Sequence, residues 1–308
     1  MPNENPPLLE IKDLSVKFSR YGQGLSQQEL EVISNLSVRV KAGQVLAVIG
    51  SSGSGKSLLA HAILGILPSN AISSGQMIYR GEELTQPRKM ELRGREIALV
   101  PQSVSYLDPL MKVGEQVKGL FGSEEARRRV FQKYALQPEA ADMYPFHLSG
   151  GMARRVLVAT AVISEARLII ADEPTPGLHP SIAQEMVRHL RELADQGRAV
   201  MLITHELDLA FRIADQIAVF YGGTTVELAS VEDFRQGPHA LRHPYSRALW
   251  AALPENGFQP LPGFQPYAGQ LPPGCLFAPR CPQKTGECLD YVAMRELKGG
   301  MVRCCHAS

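Results

Sequence analysis

Short, strongly apolar runs recur along the chain at residues 45–49, 97–100, 168–171, 200–204 and 217–221, each bounded by turn residues or by helix-compatible sequence. Runs of this length with no polar side fit strands buried on both faces, and so predict a parallel sheet covered by helices. Residues 8–18 and 31–40 alternate only partially and are joined by a polar Gly/Gln stretch, which predicts an antiparallel flap beside the main sheet. Between Gln102 and Ile163 the sequence is charged and helix-compatible, with EEARRRVFQKYAL at 124–136 and Pro109, Pro138 and Pro145 as punctuation. A mostly helical insertion over about 103–163 fits this pattern. In residues 181–194, Ile182, Met186, Val187, Leu190 and Leu193 recur at helical intervals, so this helix packs one face on the sheet. From about Pro254 to Pro282 prolines are dense and periodicity fades, marking a linker or an irregular stapled unit rather than more sheet. The expected division is a main domain over 1–234 and an extension over 235–308.

The 308 residues suffice for one large α/β domain with an appendage. Lys and Arg total 32 against 31 acidic residues, and this balance lacks the basic footprint of nucleic-acid or anionic-lipid binding. No apolar run approaches a membrane span, and residues 1–10 lack a signal-peptide layout, so a cytoplasmic chain is expected, serving any membrane by docking on separate subunits. The cysteines, Cys275, Cys281, Cys288, Cys304 and Cys305, all lie after residue 270. In a reducing compartment such a cluster points to a metal or iron–sulfur centre before disulfides.

GSSGSGKS at 50–57 follows the run at 45–49 and precedes a helix-compatible stretch, the strand–loop–helix context that a phosphate loop requires. Gly50, Gly53 and Gly55, with Ser51 and Ser54 between them, let successive N–H groups face phosphates, while the following helix adds the positive end of its dipole. Lys56 is expected on the β- and γ-phosphates and Ser57 on Mg²⁺. Asp172 closes the run at 168–171, where the second, water-mediated Mg²⁺ contact of such an ATPase belongs. Glu173 is the adjacent carboxylate. A Gly/Ser-rich turn and a solvated strand end are the plain alternatives, and the flanking elements weigh against both.

Further strings stand in order around these: VPQ at 100–102, LSGGM at 148–152, LIIADEP at 168–174 and THE at 204–206. Together they resemble the ATPase subunit of ABC transporters. The resemblance implies an α/β fold with a P-loop (RecA-like) sheet core, an antiparallel β flap and an inserted helical subdomain. It implies that Glu173 is the general base, that Gln102 touches Mg²⁺ and water and relays nucleotide state, and that His205 contacts the γ-phosphate. Phe18, with Tyr21 as the alternative, would stack on adenine, although either also serves as flap core. Ser149, Gly150 and Gly151 would cap the γ-phosphate on a second subunit, so function requires a head-to-tail dimer around two ATP molecules. Met152 stands where most relatives have Gln, a choice shared with peptide- and nickel-importer ATPases. His179 stands where relatives usually carry Asp; exchanging an acceptor carboxylate for an imidazole leads to the expectation of unequal ATP sites in a heterodimer.

HPYSRALWAALP at 243–254 and GCLFAPRC at 274–281 resemble the C-terminal extension of dipeptide, oligopeptide and nickel importer ATPases. Some members hold a [4Fe–4S] cluster with four cysteines, which the resemblance places on Cys275, Cys281, Cys288 and Cys304, with Cys305 or His306 to spare. Zn²⁺ and unliganded thiols remain the alternatives. The extension is expected to be small and irregular. The whole resemblance implies ATP and Mg²⁺ as ligands, a second homologous ATPase, two membrane permeases and an extracytoplasmic binding protein as partners, and a place on the cytoplasmic face of the membrane. Nickel or a metal–chelator complex is preferred slightly over di- or oligopeptides as cargo because residues 256–267 are similar to metal-importer relatives. The competing class is an ABC ATPase of translation or DNA maintenance; such proteins carry two cassettes or a long coiled coil, neither of which is present in this sequence.

Overall fold

The computed structural model describes residues 6–21, 27–51, 53–120 and 122–307, with the main chain alone at 20, 21 and 27. Two sheets organise it. The first begins with β1 (Leu9–Tyr21) and β2 (Gln27–Val40), an antiparallel pair in which Leu9 faces Val40 and Phe18 faces Leu30. After β3 (Val45–Ile49) and α1 (Lys56–Leu64), β4 (Ala71–Tyr79) returns to pair antiparallel with β1, and β5 (Glu82–Glu83) adds the edge, giving the order β2-β1-β4-β5. The expected two-strand flap is therefore a four-stranded sheet. β4 escaped the sequence pattern because its residues 72–76 are exposed and carry no apolar alternation.

Then come α2 (Gln86–Leu92), β6 (Ile97–Val100), α3 (Val113–Lys118), α4 (Glu124–Lys133), α5 (Gly150–Val162) and β7 (Leu168–Asp172). The chain continues through α6 (Pro180–Asp195), β8 (Ala199–Thr204), α7 (Leu207–Ile213), β9 (Gln216–Tyr221), β10 (Thr224–Ser230), α8 (Val231–Gln236) and α9 (Pro244–Ala251). It ends with β11 (Arg295–Leu297) and β12 (Gly300–Val302). The main sheet runs β11-β12-β10-β9-β3-β8-β7-β6, parallel from β9 to β6 and antiparallel beyond β9.

The apolar runs do what their pattern demands. Along β3, Val45, Ala47 and Ile49 enter the core on the helical side, while Leu46 and Val48 enter the core beneath the flap. β7 and β8 divide their side chains between the same two cores. A strand with both faces buried cannot afford a polar position, so these runs are continuous. On α6, Met186, Val187, Leu190 and Leu193 are buried on one face, as the helical spacing requires.

The extension departs from its expected irregular form at its end. Residues 254–282 contain only 3₁₀ turns, but β12 then pairs with β10 through Glu227–Val302 and Leu228–Met301, so the chain terminus widens the main sheet. The hairpin β11–β12 is too short to show a period of two. Its turn carries Lys298 at φ 48° and Gly299 at φ 75°. A buried ion-pair network fastens this region: Glu227 is 0% exposed and Arg242 3% exposed. Glu227 accepts the main-chain N–H groups of Arg242 and His243, both at 2.9 Å. Arg242 reaches Asp233 at 2.9 Å and donates Nε to the Leu297 carbonyl at 2.6 Å.

Candidate active site

β3 ends at Ile49 and the chain turns through Gly50–Gly55 into α1, with Gly53 at φ 77° and Gly55, the helix cap, at φ 90°. Both conformations are left-handed and favour glycine. A Cβ on Gly50 would stand 2.8 Å from the Phe220 carbonyl oxygen, so the loop starts in close contact with β9. Lys56 is the first residue of α1 and is buried; its Nζ donates to the carbonyls of Gly50 at 2.8 Å and Ser51 at 2.9 Å. Burial lowers the Lys56 ammonium below the ordinary lysine range, against the opposing pull of Glu173 and Asp172.

Asp172 ends β7 and is 4% exposed. Burial pushes its carboxyl up, with a hydrogen bond from Ser57 pulling the other way, and its Oδ1 has no protein partner. An orphaned, buried carboxylate oxygen beside a serine hydroxyl is a donor set suited to a hard divalent cation such as Mg²⁺, with Ser57 and Asp172 as the holders. Glu173 follows at φ 46°, an uncommon backbone conformation for a glutamate, and its N–H donates to the Ile203 carbonyl at 2.9 Å. Nδ1 of His205, just beyond β8, lies 2.9 Å from Oε1 and 2.8 Å from Oε2 of Glu173. These groups open on a cleft of about 900 Å³ walled by Ser51, Gly53, Gly55, Lys56, Ser57, Gln102, Glu173 and His205 together with Val32, Leu58 and Pro176. Backbone N–H groups, a buried lysine and Glu173 in one cleft, with Asp172 buried beside them, can bind a polyphosphate, hold a cation and orient a water.

Gln102 is exposed at the cleft, just past β6. Arg154 of α5 holds it in a way the sequence did not suggest: its Nη1 donates to the Gln102 carbonyl and, at 3.4 Å, to that of Pro101, while Nη2 reaches the Pro176 carbonyl at 3.4 Å. An arginine two residues past Met152 carries no signal without the fold. Ser149 caps α5, accepting the Met152 N–H at 3.3 Å, and Ser149 and Gly150 are exposed; neither they nor Gly151 line this chain's own cleft. Phe18 is half-buried against the core beneath the flap and is not a cleft-wall residue; Val32 is. The Tyr21 side chain lies outside the described residues. Ser54 is buried with its Oγ unpaired, and a Cβ on Gly50 would meet it at 3.0 Å. His179 precedes α6, its Nδ1 2.9 Å from Ser181 Oγ.

In the tail, burial pushes the Cys275 and Cys281 thiols up, and each feels the charges of Cys288 and Cys304. The tightest group includes both residues reckoned as spare: Cys288, Cys305 and His306 present ligand atoms within 4.8 Å of one another, with the Cys288 and Cys305 sulfurs 3.7 Å apart.

The profile of the ABC transporter family matches residues 33–176, and that of the oligopeptide/dipeptide transporter C-terminal region matches 226–288. The chain is 34% identical to the oligopeptide transport ATP-binding protein OppD of Haemophilus influenzae, covering 98% of both chains. The chain belongs to the ABC transporter ATP-binding subunits of the dipeptide/oligopeptide importer family. A second relative, OppD of Salmonella typhimurium, is 34% identical over 97% of this chain and 93% of its own. A putative peptide import ATP-binding protein of Brucella abortus is 32% identical, with 97% and 94% covered. Among solved structures, a dimeric ATP-binding cassette bound to ADP and phosphate superposes with a TM-score of 0.64 at 22% identity, covering 72% of this chain and 98% of that one. An ATP-binding subunit of an ABC transporter gives 0.59 at 26% identity, covering 74% and 92%. This ABC subunit is an ATPase of the transport-coupled class, and no helix among its described residues is long and apolar enough to cross a membrane.

Proposed function

We infer that this ABC ATPase powers the import of oligopeptides or dipeptides, docking at the cytoplasmic face on two separate permease subunits, pairing with a second homologous ATPase, and relying on an extracytoplasmic binding protein to choose the cargo. The observation that carries the reading is similarity along nearly the whole chain, extension included, to proteins named for oligopeptide transport. Nickel or metal–chelator cargo, preferred from residues 256–267, finds no counterpart in those names, and translation or DNA maintenance finds none either. The test is affinity purification of the tagged chain from native membranes. Two polytopic membrane proteins and a second ATPase are expected to accompany it, with ATPase activity stimulated by peptide-loaded binding protein. Stimulation by a nickel chelate and not by peptides would replace the reading.

In this reading Lys56 and the N–H groups of the loop bind the β- and γ-phosphates. Glu173, steadied by His205, takes a proton from the attacking water, with Gln102 beside it. Ser57 and Asp172 hold Mg²⁺, which neutralises phosphate charge when bound. Phe18 supplies the adenine contact. Ser149 and Gly150, facing solvent on their own subunit, and Gly151 beside them complete the site of the partner ATPase, and His179 makes the two sites unequal. In the tail, Cys275, Cys281, Cys288 and Cys304 would hold a [4Fe–4S] cluster through their four thiolates. A single zinc ion is the second reading, because tetrahedral thiolates at about 2.3 Å from zinc stand about 3.8 Å apart, close to the 3.7 Å between Cys288 and Cys305. Iron and acid-labile sulfide on anaerobically purified protein support the cluster; stoichiometric zinc without sulfide supports the ion.

A further inference from the structure

Ser51, the second residue of the phosphate loop, donates its hydroxyl hydrogen to Oε1 of Gln265, 214 positions further along the chain. This contact joins the extension to the ATP cleft. We propose that the loop 261–270 is an outer buttress of the ATP site, in which Gln265 is a positioning residue that holds Ser51, its own place being set by Arg280.

Arg280 lies between Cys275 and Cys281 and grips the start of the loop, donating Nε to the Pro262 carbonyl at 2.9 Å and Nη2 to the Leu261 carbonyl at 2.9 Å. Its Nη1 reaches the Tyr221 hydroxyl at 3.3 Å, and its guanidinium stands 5.9 Å from the centre of the Tyr221 ring. Tyr221 ends β9, the strand beside β3, and β3 feeds the phosphate loop. The loop also lies against its neighbours. A Cβ on Gly222 would stand 3.6 Å from Pro266, and one on Gly269 would stand 2.6 Å from Leu30 of β2.

Apolar burial holds only the start of this loop, where Leu261 packs on the core; further along Phe264 is 89% exposed and Tyr267 74% exposed. Beyond Leu261, its polar fastenings, Arg280 at one end and Gln265 on Ser51, set where it lies. Gln265 is not among the residues that wall the cleft. It grips the phosphate loop from outside and leaves the nucleotide's path open, so the contact orders the loop and does not plug it. Ordering a glycine-rich loop before the nucleotide arrives removes part of the entropy lost on binding, which strengthens affinity and leaves the chemical step alone.

The test measures the dissociation constant of a ribose-labelled fluorescent ATP on the full chain, with KM and kcat from the same preparation. Loss of one neutral hydrogen bond predicts that Gln265→Ala raises the dissociation constant and KM about two- to tenfold with kcat unchanged. Ser51→Ala is also expected to raise the dissociation constant and KM, and the double variant to do no more than the larger single. Arg280→Ala should also raise KM, without adding to Gln265→Ala. Unchanged affinity in Gln265→Ala overturns the proposal. So does tighter binding, which would make the contact an inhibitor, or a fall in kcat at constant KM. The proposal rests on the phosphate loop being the ATP site, and Lys56→Ala keeps the two apart: lost binding there with none in Gln265→Ala removes the buttress alone.

Discussion

Two buried cations are handled in opposite ways. Arg242 lies among Glu227, Asp233 and the carbonyls of Leu297 and Lys298, while both Glu227 oxygens accept further main-chain N–H groups. Lys56 is buried as well, yet its donors go to carbonyls of its own loop, and nearby Asp172 keeps an oxygen with no partner. The first arrangement is complete within the chain and ties the extension to the main sheet. The second is incomplete by the same accounting, and it is the cleft where a polyanion and a divalent cation belong. Buried charge satisfied by the chain marks a joint; buried charge left open marks a site that a ligand finishes.

The largest effects should separate the two by what is lost. Lys56→Ala is expected to lower the ATPase rate about 10²- to 10³-fold while the thermal unfolding midpoint moves little, as read from steady-state rates and a melting curve on one sample. Arg242→Ala should do the reverse. Leaving Glu227 buried without its cation costs about 3–5 kcal/mol, seen as a lower denaturation midpoint, with ATPase activity retained by the protein still folded. A sharper version replaces Arg242 by Met and Glu227 by Leu together; if charge satisfaction is the joint's main service, this pair costs less than Arg242→Ala alone. Equal loss in both would show that the joint works through charge itself.

How much of this was legible before the fold traces back to the same distinction. The parallel strands were readable because burial on both faces forces continuous apolar runs, and the phosphate loop because its glycines, Lys56 and Ser57 must be contiguous. The Glu227–Arg242 joint was not, since its members come from β10, α8 and the segment before α9 and meet only through strand pairing. Arg154 and Gln265 were missed for a similar reason: each acts through long-range contacts with main-chain or side-chain atoms that leave no local pattern. β12 is too short for periodicity, and the turn before it is held by Arg242 through the Leu297 and Lys298 carbonyls.

Intermediate in size is a stability gain. The Asp172 carboxyl is raised by burial, so in the folded protein the carboxylate is disfavoured at neutral pH and protonation relieves it. The contribution is favourable at low pH and is lost as pH rises through the folded-state pKa. Asp172→Asn should therefore raise stability at neutral pH by about 1–2 kcal/mol, with the advantage over the parent chain vanishing as pH falls through the carboxylate range, while ATPase activity is lost. Denaturant titrations of both proteins across pH check the sign. A destabilised Asn variant at neutral pH would mean that Asp172 is satisfied by the chain, and the contrast with Glu227 would fail.

The smallest expected effect lies where the comparison is least clean. Arg154 is a partly buried cation whose partners are carbonyls, as for Lys56, yet it touches the edge of the cleft and not its floor, and burial lowers its guanidinium below the usual arginine range. Its fork spans Pro101 and Gln102 on one side and Pro176 on the other, so it fixes the distance between the segment after β6 and the segment after β7. Arg154→Lys keeps the charge but cannot span both with a planar fork. If Arg154 belongs with the joints, the cost is stability of about 1 kcal/mol and an unchanged kcat. If it belongs with the site, Gln102 shifts and kcat falls about three- to tenfold while ATP affinity holds, since the lost contact is felt in the transition state more than in binding. The position of Gln102 at the cleft favours the second outcome, and measuring kcat, KM and the unfolding midpoint on the one variant decides it.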